Sequence, residues 1–229
     1  MVKALLFDLT DTLRIFDWQK QWILFSENFS KELGFQIDIE LFKQKYQQVY
    51  ESYRLGWIRN DAEFFELLFR QLGWNATKNQ LKSIEKKHLE LRKEFGSLPE
   101  DYAKTLEALG KEFKLAVASS AVAGWEYSDF KNFYGFDFRK HFDAVVFSQE
   151  QGFLKESGKL FEIVLKKLKL KPSEAAFVGN DYEDDVLTAK KFGLKAVFLS
   201  LKSEPKGEAD LQINAFKQLA EKIPELKSL

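Results

Sequence analysis

Val2-Lys3-Ala4-Leu5-Leu6-Phe7-Asp8-Leu9-Thr10-Asp11-Thr12-Leu13 opens with a strand-length apolar run that ends on a carboxylate, followed by hydroxyls and a second acid. A near-continuous apolar run, as opposed to an alternating one, suits a strand covered on both faces, the condition inside a parallel sheet. Further runs of this kind stand at residues 113–118, 144–147, 175–178 and 195–199. Between them apolar side chains recur at spacings of three and four: Tyr102, Leu106 and Leu109; Leu160, Phe161, Val164, Leu165 and Leu168; Val186, Ala189 and Phe192. That period marks helices with one buried stripe, and Gly110 and Gly193 stand where such helices stop. Strands alternating with helices from residue 98 onward predict an α/β domain built on a doubly wound, Rossmann-like parallel sheet. Pro205 and Gly207 then precede a short strand at 209–213 and a closing helix at 216–223.

The first strand is separated from the others by a segment of different character. Trp18, Trp22, Phe25 and Phe29 share the helical spacing, as do Phe42, Tyr46, Tyr50 and Tyr53. Phe64, Phe65, Leu68, Phe69 and Leu72 continue it, followed by Leu81, Ile84, His88 and Leu91. The pattern predicts an all-helical insertion of four or five helices with its own aromatic core, dividing the chain into an α/β core at 1–13 and 98–229 and a helical domain at 14–97.

Composition narrows the partners. The 229 residues carry 35 Lys+Arg against 35 Asp+Glu, so there is no global field of the kind that draws in nucleic acid or an anionic membrane. With no cysteine, disulfides, thiolate metal sites and thiol nucleophiles are excluded. No apolar stretch is long enough to span a bilayer, and the first residues lack the run of a signal peptide, so a cytoplasmic location is expected. His88 and His141 show no metal spacing and are expected in packing or surface roles.

In open α/β sheets ligands bind beyond the carboxyl ends of the strands. Asp8, Thr10, Asp11 and Thr12 follow the first strand, Ser119 and Ser120 the second, and Asn180, Asp181, Glu183, Asp184 and Asp185 the fourth, while Lys155 stands in the loop before the helix near Lys159. A nucleophilic carboxylate, a hydroxyl, a cation and an acidic cluster suited to a hard metal form an inventory for phosphoryl transfer. Each has a bland counterpart: Asp8 as a helix cap, Ser119 and Ser120 as caps, Lys155 as a solvated charge, the acids as a favourable set at a helix start.

These segments, in this order, resemble the haloacid dehalogenase-like hydrolase superfamily, with the insertion resembling its helical cap. The resemblance implies that Asp8 is the nucleophile, that Ser119 and Lys155 hold the phosphoryl group, and that Thr12 supports the substrate. It further implies Mg²⁺ held by Asp8, the backbone carbonyl of Thr10, Asn180 and Asp185, and a small phosphorylated substrate. Ser120, Arg14, Trp18 and Arg54 are the expected further contacts to that substrate. Two positions depart from the family's phosphatases. Thr10 stands where they carry the Asp that protonates the leaving oxygen, a loss that typically costs about 10² to 10⁴ in rate. Asn180 stands for the first acid of the metal motif, and Asp11 for a usual glycine; Asp11, Asp181 or Asp184 could compensate. A slow Mg²⁺-dependent phosphate monoester hydrolase is the favoured reading. The alternatives are a metal-independent 2-haloacid dehalogenase and a catalytically faded binding protein.

Overall fold

The computed structural model describes residues 1–34, 36–200 and 207–229; of the segment expected to loop before the last strand, Pro205 lies outside them. In chain order, β1 (Ala4–Phe7) and the two-residue β2 (Ile15–Phe16) lead into α1 (Trp18–Leu33), α2 (Ile39–Arg54), α3 (Asp61–Gln71) and α4 (Lys78–Phe95), followed by β3 (Gly96–Ser97). Next come α5 (Tyr102–Gly110), β4 (Lys114–Ser119), α6 (Ala123–Tyr134), α7 (Phe138–His141), β5 (Ala144–Phe147), α8 (Ser148–Gln151) and α9 (Lys159–Leu168). The last part holds β6 (Ala175–Gly179), a π-helical turn at Tyr182–Leu187, α10 (Thr188–Lys191), β7 (Lys195–Leu199), β8 (Leu211–Ile213), α11 (Gln218–Glu221) and α12 (Ile223–Ser228). The single closing helix expected at 216–223 is instead the pair α11 and α12.

Two compact units emerge, Met1–Ile15 with Leu98–Leu229, and Phe16–Ser97. In the first, six strands form one sheet in the order β5-β4-β1-β6-β7-β8, every pairing parallel. Alternate residues of each strand feed opposite layers. Leu5, Phe7, Leu115, Val117, Ala176 and Val178 pack with α5, α6, α11 and α12 residues such as Leu106, Phe130, Leu219 and Leu226. Ala4, Leu6, Ala116, Ala118, Ala175 and Phe177 pack with Leu160, Phe161 and Val164 of α9 and with Val186 and Ala189. Both faces are thus covered, which is why these strands read as unbroken apolar runs. The chain leaves β1 toward β4 and β5 on one side and returns to β6, β7 and β8 on the other. The reversal of strand order therefore falls at β1, where such sheets form their binding crevice.

The helical unit is an aromatic bundle. Phe25 and Phe29 pack edge to face with centroids 4.6 Å apart, Phe29 meets Phe42 at 5.0 Å, and Phe64 meets Tyr46 at 5.0 Å. Asp38, Asn60 and Thr77 cap α2, α3 and α4 by accepting backbone N–H bonds, and Thr77 with Gln80 completes a reciprocal box. Among the described residues no helix is long and apolar enough to cross a membrane.

His88 on α4 is buried in this bundle, with Arg92 Nη1 3.0 Å from its Nδ1 and the Tyr46 hydroxyl 3.0 Å from its Nε2. An arginine has only donors, so Nδ1 accepts and the ring is the neutral tautomer that carries its proton on Nε2. Burial first, and Arg92 second, hold the imidazole well below its usual range. A base whose folded-state affinity for protons is depressed contributes stability above its unfolded pKa, and that stability is lost as the pH falls below it. Stability should therefore decline as the pH falls from about 6.5 to about 5, by at most about 1.4 kcal/mol per pH unit from this residue, and the melting temperature with it. His88→Gln should flatten that slope; an unchanged slope would clear His88 of the effect.

Candidate active site

The carboxyl ends of β1, β4 and β6 place Asp8, Ser119 and Asn180 beside one another, and the loop after α8 brings in Lys155. Asp8 continues β1 and keeps sheet pairing, its N–H donating to the Val178 carbonyl at 2.9 Å. Its side chain is buried, and both of its hydrogen bonds fall on Oδ1: Ser119 Oγ donates at 3.1 Å and Lys155 Nζ at 3.0 Å. Neither bond uses Oδ2. Lys155 is also buried and donates a second bond to Asp185. Burial alone would push the ammonium down, but Asp8 and Asp185 together outweigh it and hold Lys155 above its ordinary range. Its charged form is thereby favoured.

Of the four acids at 181–185, Asp185 alone is buried. Asp181 behaves as a cap, accepting from the Asp184 N–H at 2.8 Å, while its own N–H donates to Asp185 Oδ2 at 2.8 Å. Glu183 and Asp184 are exposed. Asp185 reaches inward because residue 179 is glycine: a Cβ there would collide with the Asp185 carboxylate. Burial pushes Asp185 up to about 7; Lys155 opposes the shift and Asp8 adds to it. Two carboxyl groups thus share one ammonium in a buried site, and when both are ionised the formal surplus is one negative charge.

That surplus bears on whether a metal suits the site. Among the described residues no three His, Cys, Asp or Glu side chains cluster in a way that could hold an ion. Asp8 and Asp185 supply two carboxylates and Asn180 an amide oxygen. With backbone carbonyls these are hard oxygen donors of the kind Mg²⁺ takes, and a cation would offset the surplus charge.

The other expected site residues divide. Thr12 is buried and its Oγ1 donates to Asn180 Oδ1 at 3.1 Å, joining the turn after β1 to the end of β6. Thr10 is half-buried and its backbone bridges to Arg14, while Asp11 adopts φ +57°, the left-handed conformation that favours glycine. Ser120, expected as a substrate contact, accepts the Lys155 N–H on its hydroxyl at 2.8 Å and so holds the lysine loop. Arg14 was likewise expected at the substrate. It is buried, with its guanidinium 2.8 Å from Glu126 and 3.0 Å from Asp129, so two carboxylates already match its charge. Trp18 and Arg54 belong to the helical unit, where Trp18 stacks on Phe16 at 5.0 Å and Arg54 is half-buried at the end of α2. Sequence reasoning passed over Glu126 and Asp129. Its one available signal was the spacing of three that puts the two acids on one helix face.

A family model described as haloacid dehalogenase-like hydrolase matches residues 2–193. The chain is 28% identical over 206 residues to a glyceraldehyde 3-phosphate phosphatase of Methanopyrus kandleri, covering 86% of this chain and 83% of that protein. A relative of the same name from Methanothermobacter thermautotrophicus is 26% identical over 102 residues, and the match spans only 44% of its length. Among solved structures, a HAD phosphatase from Thermococcus onnurineus superposes with a TM-score of 0.68 at 22% identity, over 96% of this chain and 97% of that one. A 2-haloacid dehalogenase from Pseudomonas syringae superposes equally well, with a TM-score of 0.69 at 20% identity over 96% and 97%. At these identities the structural likeness speaks for the fold alone.

Proposed function

The chain belongs to the haloacid dehalogenase-like hydrolase family and is a hydrolase, and we propose that it hydrolyses a small phosphate monoester through a covalent intermediate on Asp8. The observation that carries this reading is the Asp8 carboxylate, buried at the switch point of the sheet with Ser119 and Lys155 both bound to one of its oxygens. In this reading Oδ2 attacks phosphorus in line with the leaving oxygen. The P–O bond to the alcohol breaks as the bond to Asp8 forms, and Lys155 and Ser119 stabilise the charge on the transferring group. Water then cleaves the aspartyl-phosphate, regenerating the carboxylate and releasing phosphate.

Asp8, Asn180, Asp185 and the Thr10 carbonyl would hold Mg²⁺, which when bound supplies positive charge against the phosphoryl oxygens. The phosphatase names among the relatives, most of all the one matched over 83% of its length, support a phosphorylated substrate. The helical unit is proposed as the cap that selects it.

Thr10 makes the reaction slow, since a hydroxyl neither protonates the leaving alkoxide nor activates water at neutral pH. Thr10→Asp should raise the turnover of an aryl phosphate by about tenfold or more, part of the general-acid contribution of about 10² to 10⁴. An unchanged rate would place the defect elsewhere in the site. The decisive experiment measures release of phosphate from aryl and alkyl monoesters with and without Mg²⁺, beside release of chloride from 2-chloropropionate without metal. Metal-dependent phosphate release is the expected result. Chloride release alone would install the dehalogenase reading in its place, and neither product would leave a binding protein.

A further inference from the structure

The Arg14 cluster has a geometry that neither substrate binding nor simple stability explains. The guanidinium is 4% exposed; Nη2 lies 2.8 Å from Glu126 and Nη1 3.0 Å from Asp129, acids that are 2% and 0% exposed. Both acids stand on α6, the helix that follows Ser119 and Ser120. The Arg14 backbone, for its part, closes the turn after β1. Its N–H donates to the Leu9 carbonyl at 2.9 Å, beside those of Leu13 at 2.8 Å and Thr12 at 3.3 Å, and it bridges to Thr10. One side chain therefore joins the turn that carries Asp8 and Thr12 to the helix behind Ser119.

A planar fork set between two carboxylates constrains direction as well as charge. Buried ion clusters are often matched or bettered in stability by apolar or neutral side chains of similar volume, so stability is a poor account of why charges sit here. We infer that Arg14, Glu126 and Asp129 form a positioning device that sets the Asp8 turn against the Ser119 loop. The catalytic part of this inference rests on the proposed role of Asp8. None of the three touches a reacting atom, and all act through the turn.

Two variants test it on the full chain: Arg14→Lys, which keeps the charge and loses the fork, and the triple variant Arg14→Met, Glu126→Gln, Asp129→Asn, which leaves no unpaired buried charge. Amide hydrogen exchange is read at Thr12, Leu13 and Arg14 or its replacement, with the amides of β4 as an internal reference, together with kcat and KM for an aryl phosphate. The triple variant should exchange about tenfold or more faster in the turn with β4 unchanged, and lose about 10- to 100-fold in kcat with KM within about twofold, as expected for small misplacement of a reacting group. Arg14→Lys should fall between it and the parent. Exchange that rises equally in β4, or turn exchange and kcat both within about twofold of the parent, would overturn the inference. Should the triple variant not fold, Arg14→Lys decides by the same criteria. If the parent protein turns over no phosphate, the exchange measurement still tests whether the cluster orders the turn, and the phosphatase reading fails separately.

Discussion

Replacing Lys155 with methionine should lower the stability of the fold by about 3–5 kcal/mol, the usual consequence of stripping the partner from a buried charge. For a chain of this size that is a fall in melting temperature of roughly 6–20 °C. Methionine fills most of the space of the lysine stem, so the loss isolates charge. Asp8 and Asp185 would then face each other, both buried, with no ammonium between them. Burial already pushes Asp185 up, and loss of the opposing lysine should push it further. An acid whose folded-state pKa is raised is held better by the fold when protonated, so the variant should lose stability as the pH rises from about 5 toward 8 more steeply than the parent. Adding Asp185→Asn removes one of the two charges and should restore most of the loss. A Lys155→Met protein that melts within about 2 °C of the parent would show that the ammonium is not what keeps the two acids apart. Activity should fall with it, because the same nitrogen that pairs the carboxylates is the one proposed to meet the phosphoryl group.

Asp8→Asn separates the two effects. Turnover should drop by about 10³-fold or more, since an amide oxygen is no nucleophile and no second carboxylate shares its position after β1. Stability should hold or rise, because the substitution removes one of the two buried negative charges while an amide still accepts from Ser119. Activity and melting temperature thus move in different directions for Asp8 and in the same direction for Lys155. Residual metal-dependent turnover above about one part in a hundred, after exclusion of contaminating parent enzyme, would remove Asp8 from the role of nucleophile.

The candidate site was legible to different depths at different residues. Asp8 and Ser119 are the first polar residues after apolar runs, and an unbroken apolar run is a local pattern with a local cause, burial on both faces of a strand. Lys155 had only its loop position to separate it from its many neighbours; its burial between two carboxylates arises from residues 147 and 30 positions away. Among the acids at 181–185 only the family resemblance singled out Asp185; local composition did not. Asp185 differs because the π-helical turn points it inward and the bare α-carbon of Gly179 makes room, whereas Asp181 spends its carboxylate on the Asp184 N–H. The partners of Arg14 were out of reach for the same reason: the carboxylates that claim it lie 112 and 115 residues further along the chain.

By itself the amino-acid sequence determined the layers of the α/β core, the helical nature of the insertion, and which strand ends carry reactive groups. Each of these follows from periodicity and from hydrophobic burial, which act on neighbouring residues and leave their mark in a short window. Tertiary structure alone decided the partners of the buried charges. It assigned Lys155 to Asp8 and Asp185, Arg14 to Glu126 and Asp129, Ser120 to the lysine loop, and Thr12 to Asn180. A charge removed from water must be matched by whatever the folded chain brings within about 3 Å. Which residue that is depends on strand order and loop path, and neither is written in the residues on either side of it.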